Sequence, residues 1–384
     1  MIYYDPFYET WLGDEDTTQY SFGGKDLSFV EPSQRAIPFS VALCEKTKAV
    51  GPFVIVLTES HTIKPFTGDE RLYLSIHRSL SRIGGVLMIV TASSLEDIHR
   101  TLGYIYNENN REWIQAHGGK PDVVYNRVPF RRLERKETFA QIKRALTNAH
   151  TSIFNPRFLT KKDLLELSIV NLNLPKTEEL TSFSQFKQFV SVHRNVLIKD
   201  SNGSKGQGIY RLVQRHDDSC ILTTQKGSTP PLSLEAIWGL LVPVLSKRTL
   251  LIQEQVKLTT WNGSPYDYRV LLHRVKGQWE CSGVGIRVAG SEAFTTHTLY
   301  GGHLLDPLKV GLDTKDVTSL AKETASLLPD TFYELSMDIG SDEHNRLYVF
   351  DINSKPMIFD EAHIREKGAQ HVALICHELG GFSV

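Results

Sequence analysis

The segment VLIKDSNGSKGQGIYRLV, residues 196–213, joins two apolar stretches through a glycine-rich loop. Lys199 ends the first stretch, and Gly203, Gly206 and Gly208 follow it. Glycines let backbone N–H groups approach phosphate oxygens closely. Strand-forming residues resume directly after Gly208, whereas a P-loop or a Rossmann turn would lead into a helix. The pattern therefore predicts either a flexible flap that covers a triphosphate, with Lys199 near the phosphates, or a plain hairpin with a flexible tip.

Oxygen-bearing side chains lie at the ends of two strands predicted further along the chain. Asp338 closes the strand at residues 333–338, and Asp351 and Asn353 lie two apart in the strand at residues 347–353. Side chains two apart in a strand share a face. Mg²⁺ prefers hard oxygen ligands and usually bridges one or two carboxylates to substrate phosphates. The three side chains could form such a site; the alternative is a pair of polar strand ends near solvent.

A third set of candidates occupies strands predicted at residues 267–275 and 279–288. Asp267 and Arg269 share a strand face, and Arg287 follows in the next strand. Arginine is the preferred side chain for a bidentate contact with phosphate or carboxylate. The alternative is a surface Asp–Arg pair, which is common and contributes little to stability.

The strand predicted at residues 250–256 becomes polar at its end. Its last residues are Glu254, Gln255 and Val256. Backbone and side-chain groups at such a strand end could contact the edge of an adenine.

The rest of the pattern predicts an α/β organisation in several domains. Strands at residues 52–57, 86–90 and 122–128 alternate with helices at 71–83, 94–106 and 138–149, which implies a parallel sheet. Further helices are predicted at residues 159–167, 233–247 and 316–328. We expect an N-terminal extension at residues 1–50, an α/β domain at 51–150, and a third domain at 151–384 that includes a flap subdomain at about 190–256.

Composition limits the class of protein. The 384 residues carry 43 Lys plus Arg and 44 Asp plus Glu, so the formal net charge is -1. This balance argues against bulk electrostatic binding to nucleic acid or to an anionic membrane. The four cysteines form no CxxC pair, and no window is long and apolar enough for a membrane span. No secretory signal begins the sequence. We therefore expect a cytoplasmic protein with reduced cysteines.

The order of these signals resembles the ATP-grasp superfamily. The sequence is most similar to the YheC/YheD group of endospore coat-associated ATP-grasp proteins, over about residues 51–384. Three phrases carry the similarity: PDVVYNRVPFR (residues 121–131), FNPRFLTKK (154–162) and FDINSKP (350–356). The last phrase is the most specific.

The resemblance implies an α+β ATP-grasp fold, in which an N-terminal pre-ATP-grasp α/β domain precedes two α+β subdomains that clasp ATP. It implies ATP and Mg²⁺ as cofactors. Lys199 and Lys161, with the adjacent Lys162 as an alternative to Lys161, would contact phosphates. The resemblance further implies that the glycine-rich loop, including Gly203, Ser204, Gly206 and Gly208, binds the phosphates. It implies that Glu254, Gln255 and Val256 contact adenine and that Asp267 lies near the ribose. Arg269 and Arg287, with Lys199, would act in catalysis at the γ-phosphate, and Asp338, Asp351 and Asn353 would bind Mg²⁺.

The implied activity is that of an ADP-forming carboxylate–amine ligase acting in endospore coat formation. The substrate would be a small-molecule or peptide carboxylate, spore coat proteins would be partners, and the protein would be cytoplasmic or coat-associated. Two departures from the superfamily pattern leave alternatives open. Asp351 stands where most members have glutamate, and His297 or Thr298 stands where many have asparagine. The alternatives are an ATP-binding or structural coat protein without ligase activity, and a phosphotransferase on the same fold.

Overall fold

The computed structural model of the chain describes residues 1–29, 31, 33–168, 173–201, 203, 208–224, 227–289, 302–305, 307 and 313–383. Within these ranges the chain forms five β-sheets and the helices that cover them.

The described part of residues 1–51 forms two four-stranded sheets. Their strands are β1 (Ile2–Asp5), β2 (Thr10–Gly13), β3 (Ser21–Phe22), β4 (Lys25–Asp26), β5 (Ser28–Phe29), β6 (Ile37–Phe39), β7 (Ala42–Cys44) and β8 (Ala49–Gly51). The strand orders are β5-β2-β1-β6 and β4-β3-β8-β7. Tyr4 and Phe22 are buried in a core that also contains Phe53 of the next sheet. This region is therefore packed against the rest of the chain.

The next sheet has six strands of mixed direction. They are β9 (Phe53–Thr58), β10 (Val86–Thr91), β11 (Thr101–Asn107), β12 (Glu112–Gly118), β13 (Val123–Asn126) and β14 (Ser152–Phe154), in the order β12-β11-β10-β9-β13-β14. Strands β9, β10, β13 and β14 run parallel, as the sequence predicts for the first three, whereas β11 and β12 form an antiparallel edge. Helices α1 (Glu70–Ile83), α2 (Arg131–Glu134) and α3 (Glu137–Asn148) lie in the connections.

The helix predicted at residues 94–106 is wrong. The segment contains only the end of a short 3-10 helix, Ala92–Ser94, and most of strand β11. Thr101 and Ile105 are fully buried on one face of that strand, which gives the period of two that a strand requires. Gly103, between them, lies so close to β10 that a β-carbon would collide with its backbone. The helical interpretation overlooked this close approach and the pairing of β11 with β12.

The second six-stranded sheet is antiparallel and includes the predicted flap hairpin. Its strands are β15 (Thr177–Glu179), β16 (Asn195–Asp200), β17 (Ile209–Gln214), β18 (Cys220–Thr224), β19 (Gly227–Ser228) and β20 (Leu250–Glu254), in the order β15-β20-β16-β17-β18-β19. Helices α5 (Phe183–His193) and α6 (Leu234–Leu245) cover one face, with Phe186 and Ile237 fully buried in the core. Ser182 and Ser233 cap these helices by accepting hydrogen bonds from backbone amides.

The last sheet positions most of the predicted site. Its strands are β21 (Thr260–Trp261), β22 (Ser264–Val275), β23 (Gln278–Val288), β24 (His303–Leu305), β25 (Glu334–Ser341) and β26 (Leu347–Asn353), with the main order β24-β23-β22-β25-β26. Helices α4 (Lys161–Ser168) and α7 (Lys315–Ser326) belong to the core that contains Val270 and Leu272. The alternate residue Leu271 packs on the other face with Ile364 of helix α8 (Ala362–Gly380).

Helix α8 is an element that the sequence analysis did not predict. Its first turns cover the last sheet, where a β-carbon at Gly283 would collide with Ile364. Its later residues, among them Val372 and Cys376, are buried against Val54 and the other strands of the mixed sheet. Because α8 is apolar towards two sheets, it lacks the single apolar stripe that identifies an amphipathic helix.

None of the described helices combines the length and the low polarity that crossing a membrane would require.

Candidate functional site

One face of the last sheet carries a buried chain of ion pairs. Asp267 of β22 and Arg287 of β23 are cross-strand partners, and Arg287 donates to both Asp267 carboxylate oxygens at 2.9 and 2.7 Å. Nη2 of Arg287 also lies 2.9 Å from Oδ2 of Asp338 in β25. Burial opposes the charge on Arg287, but Asp338 and Asp267 outweigh it and raise the pKa of the guanidinium. Arg287 thus joins three neighbouring strands as a permanent cation.

Arg269 occupies the same face, two residues after Asp267 in β22. Its Nη2 donates to the Met357 carbonyl oxygen at 2.9 Å, and its guanidinium lies 4.4 Å from the centre of the Phe359 ring. Burial lowers the pKa of Arg269, and the nearby Asp338 opposes this shift. Both arginines predicted for anion binding are therefore held at defined positions on one surface.

The three predicted metal ligands lie at the next strand pair. Asp351 of β26 is the cross-strand partner of Asp338. Nδ2 of Asn353 lies 3.4 Å from Oδ2 of Asp351. Burial raises the pKa of the Asp351 carboxyl; Lys161 opposes this shift and Asp338 adds to it. A buried carboxylate beside another carboxylate is stabilised by a cation, so this surface suits a positive ion.

The donor atoms fit Mg²⁺. Two carboxylates and an amide oxygen are hard ligands, and Mg²⁺ usually takes few protein ligands and completes its shell with water and phosphate oxygens. Within the described ranges, no three side chains of His, Cys, Asp or Glu converge on one point. The arrangement therefore suits an ion that also binds phosphate oxygens, and not an ion that is enclosed by protein ligands alone.

Two lysines lie near Asp351 from another direction. Lys199 of β16 and Lys161 at the start of α4 line a cleft with Gln253 and Asp351. Nζ of Lys199 donates to Oε1 of Gln253 at 2.5 Å. Burial and the neighbouring Lys161 lower the pKa of Lys199 to about 7. Burial also lowers the pKa of Lys161. A bound polyanion would stabilise both charged lysines.

The described part of the glycine-rich loop closes the hairpin between β16 and β17. The Gly203 amide donates to the Asp200 carbonyl oxygen at 2.9 Å, and the Asp200 amide donates to the Gly208 carbonyl oxygen at 3.0 Å. Gly208 has a φ of 71°, a conformation that favours glycine. The predicted residues Ser204 and Gly206, and the departures noted at His297 and Thr298, lie outside the described residues.

The predicted adenine-contacting residues lie at the end of β20 and directly after it. Glu254 accepts a hydrogen bond of 2.8 Å from the Lys176 amide through Oε1, and its Oε2 lies 3.3 Å from Nδ1 of His193. Oε1 of Gln255 accepts from Arg211 at 3.0 Å. The side chains of Glu254 and Gln255 are thus engaged within the protein. The backbone amides of Glu254 and Gln255 also donate within the protein, to the carbonyl oxygens of Lys176 and Asn195, and Val256 is partly buried.

Sequence reasoning missed a cluster formed by helix α2 and the loop after β26. Nζ of Lys355 lies 2.5 Å from Oε1 of Glu134, and both side chains are at most 10% exposed. The Phe158 ring lies under two cations, with Lys355 at 4.3 Å and Arg131 at 5.2 Å from its centre. The signal was present, because Arg131 and Lys355 belong to the phrases that carry the family resemblance. Their meeting in space could not be read from the sequence.

A second set of contacts fixes the same loop to the mixed sheet. Arg127 donates to the Pro356 carbonyl oxygen at 2.7 Å and to Oε2 of Glu334 at 3.1 Å. The fully buried Asn155 donates to the Glu334 carbonyl oxygen at 2.9 Å and accepts from the Tyr333 amide at 2.8 Å. The strands that carry Asp338 and Asp351 are thus positioned by residues from the first half of the chain.

Known proteins resemble this chain in sequence and in structure. The sequence profile of the family described as "YheC/D like ATP-grasp" matches residues 150–377. The endospore coat-associated protein YheD of Bacillus subtilis (strain 168) is 24% identical over 341 residues, which are 82% of this chain and 75% of YheD. Among solved structures, the ATP-grasp ligase PsnB complexed with a minimal precursor superimposes with a TM-score of 0.53 at 14% identity, over 85% of this chain and 98% of that one. D-alanyl-alanine synthetase A of Vibrio cholerae O1 biovar eltor str. N16961 does so with a TM-score of 0.51 at 10% identity, over 86% and 99%. These structural neighbours share the fold.

Proposed function

The chain belongs to the YheC/D-like ATP-grasp family, and from this premise we propose that it is an ADP-forming carboxylate–amine ligase. It uses Mg-ATP to activate a carboxylate as an acyl-phosphate and joins it to an amine.

The observation that supports this proposal is the arrangement of charge around Asp338 and Asp351. Asp338 contacts Arg287 on the sheet face. Asp351, its cross-strand partner, lies near Lys161 and Lys199 of the cleft. Cations on two sides of a carboxylate pair suit a metal-bound triphosphate, whose negative charge both groups of cations would stabilise.

In the proposed reaction, a substrate carboxylate oxygen attacks the γ-phosphorus and the bond to ADP breaks. A neutral amine then attacks the acyl carbon, phosphate leaves with the electron pair of the broken C–O bond, and the nitrogen loses one proton to that phosphate. Lys161 and Lys199 bind phosphate oxygens, while Arg269 and Arg287 stabilise charge at the transferred group. Mg²⁺, held by Asp338, Asp351 and Asn353, would neutralise phosphate charge. Positioning and charge stabilisation suffice, so no side-chain nucleophile is needed.

The nucleotide base would occupy the end of the cleft at Glu254, Gln255 and Val256, with the ribose near Asp267. The hairpin loop that includes Gly203, Ser204, Gly206 and Gly208 would cover the phosphates and exclude water from the acyl-phosphate. Residues 51–150 would act as the pre-ATP-grasp domain, preceded by an extension at 1–50. Residues 151–384 would form the ATP-grasp domain, with its flap subdomain at about 190–256.

We further propose a small-molecule or peptide carboxylate as the substrate and endospore coat formation as the setting. The support is the name of the relative YheD, which is endospore coat-associated. The solved neighbours include a ligase with a bound precursor and a D-alanyl-alanine synthetase. Coat proteins would then be partners, and the enzyme would act in the cytoplasm or at the coat.

Titration calorimetry with Mg-ATP tests the site. Wild-type protein should bind, Lys199→Ala should bind far more weakly, and binding to Asp351→Ala should no longer depend on Mg²⁺. A wild-type protein that does not bind millimolar Mg-ATP would contradict the ligase function. If the protein binds ATP but no carboxylate and amine in a substrate screen trigger ADP release, the result would favour an ATP-binding coat protein.

A further inference from the structure

Arg131 belongs to helix α2, yet its charge interacts with those of Lys161 and Asp351, which line the proposed nucleotide cleft. Its guanidinium stacks over the Phe158 ring, 5.2 Å from the centre. Phe158 precedes by three residues Lys161, which lines the cleft. The same ring contacts Lys355, which follows Asn353 by two residues. One aromatic ring therefore connects α2 with both the lysine side and the metal-ligand side of the cleft.

Helix α2 is fixed in this position. Glu134, three residues after Arg131, pairs with Lys355 through Oε1. Its other oxygen, Oε2, accepts a hydrogen bond of 2.9 Å from the Phe158 amide. Both contacts of Glu134 therefore hold the helix that carries Arg131 against Phe158 and Lys355.

Within the described ranges, no acceptor forms a hydrogen bond or an ion pair with the Arg131 guanidinium. Arg127, Arg269 and Arg287 each have such acceptors. Burial lowers the pKa of Arg131, and Asp351 is the strongest of the charges that oppose this shift. A partly buried guanidinium with five donors and no acceptor is costly unless a ligand supplies one.

The surrounding charges indicate which ligand this is. Lys161, Lys199 and Arg131 are three cations around Asp351. Glu134, Asp163, Asp200 and Asp338 also interact with these cations, but each of them already forms an ion pair with another side chain. Asp351 does not balance three cations, whereas phosphate oxygens can. Because Arg131 reaches this point from α2, whereas Lys161 lies in α4 and Lys199 in β16, it can contact oxygens that the lysines leave exposed. A planar guanidinium is suited to two oxygens of one phosphate.

We propose that Arg131 binds the terminal phosphate of ATP. The inference rests on the proposed Mg-ATP site and adds to it a contact from outside residues 150–377, the segment that the family profile matches. The cleft then distinguishes ATP from ADP with a residue supplied by the unit that contains the mixed sheet.

The adjacent Arg132 provides a matched control, because it is exposed and its guanidinium lies over Phe130 at 5.1 Å. Calorimetry would compare Mg-ATP and Mg-ADP binding to Arg131→Gln, Arg131→Lys and Arg132→Gln. We expect Arg131→Gln to weaken Mg-ATP binding about tenfold, the effect of losing one charge-assisted contact, and to change Mg-ADP binding less than about twofold. Arg131→Lys should retain part of the ATP affinity, and Arg132→Gln should match the wild type.

Two outcomes would overturn the role of Arg131 but not the proposed Mg-ATP site. They are equal weakening of Mg-ATP binding and Mg-ADP binding in Arg131→Gln, or no change in either affinity. Failure of the wild type to bind Mg-ATP would overturn the proposed function and, with it, the role of Arg131. Retained Mg-ADP binding in Arg131→Gln also shows that the variant is folded.

Discussion

Arg287 and Asp267 face each other across β22 and β23, and the two side chains form a bidentate ion pair that also extends to Asp338. Removing the guanidinium would leave two carboxylates without their cation, one of them buried. We therefore expect Arg287→Ala to lower the free energy of unfolding by about 3–5 kcal/mol, a typical cost of an uncompensated buried charge. Urea denaturation measures this change.

The control is Lys48→Ala, which breaks the exposed pair between Lys48 and Glu45. Solvent already screens that pair, so the urea midpoint should not move. If both variants lose the same stability, the Arg287 pairs do not have the structural role described.

We predict that nucleotide binding at the proposed site depends on pH through Lys199. Its pKa of about 7 means that it is charged below pH 7 and mostly neutral above it. A triphosphate binds the charged form better, so Mg-ATP affinity should fall roughly 10- to 100-fold between pH 6 and pH 9. Proton uptake should accompany binding above pH 7. Calorimetry in buffers with different ionisation enthalpies detects both effects.

Lys199→Arg is the matched variant, since a guanidinium stays charged across this range. It should reduce the pH dependence and remove the proton uptake. Identical pH profiles for the two proteins would show that another group is responsible.

The Lys355–Glu134 pair connects the loop after β26 to helix α2. Lys355→Met leaves Glu134 as a buried carboxylate without its cation, and we expect a loss of about 3 kcal/mol. The double variant Lys355→Met/Glu134→Gln should recover much of that loss, because neither charge remains and the introduced glutamine side chain keeps an acceptor for the Phe158 amide. Thermal unfolding of the single and double variants distinguishes this coupling from simple loss of packing, which would make the double variant the least stable.

Glycines in β23 allow helix α8 to approach the sheet. A β-carbon at Gly283 would overlap Ile364, so Gly283→Ala should destabilise the protein by about 1–3 kcal/mol. Gly239 in the exposed part of α6 has open space around it, and Gly239→Ala should stabilise the protein by up to about 1 kcal/mol through helix propensity. Opposite signs in urea denaturation are the expected result; a similar change in both would mean that α8 does not pack closely over β23.

The sequence predicted those features that depend on local order. The period of two in β26 places Asp351 and Asn353 together, and the strand that resumes after Gly208 indicated a hairpin instead of a phosphate-binding helix. The antiparallel pairing of β16 with β17 agrees with that interpretation. The α+β ATP-grasp fold is likewise confirmed by the structural neighbours.

The missed features depend on partners distant in the chain. Arg287 contacts Asp267 and Asp338 because of the register of three strands, and a lone arginine does not reveal that register. Arg131 and Lys355 meet over Phe158 across more than 200 residues of sequence. Helix α8 was missed because two buried sides remove its amphipathic period, and the helix predicted at residues 94–106 ignored the close approach of Gly103 to β10.

The position of α8 between two sheets also has a consequence for synthesis on the ribosome. Residues 362–380 follow both sheets in the chain, so these sheets emerge before the helix that covers them. Until α8 emerges, the apolar surface that includes Val54 and Leu271, both buried in the complete fold, remains open to water and to other nascent chains. Such surface favours aggregation of unfinished chains. We therefore expect ribosome-bound chains stalled before residue 362 to bind holding chaperones. Chains that carry an added C-terminal linker, so that residues 362–380 have left the ribosome, should be released from these chaperones.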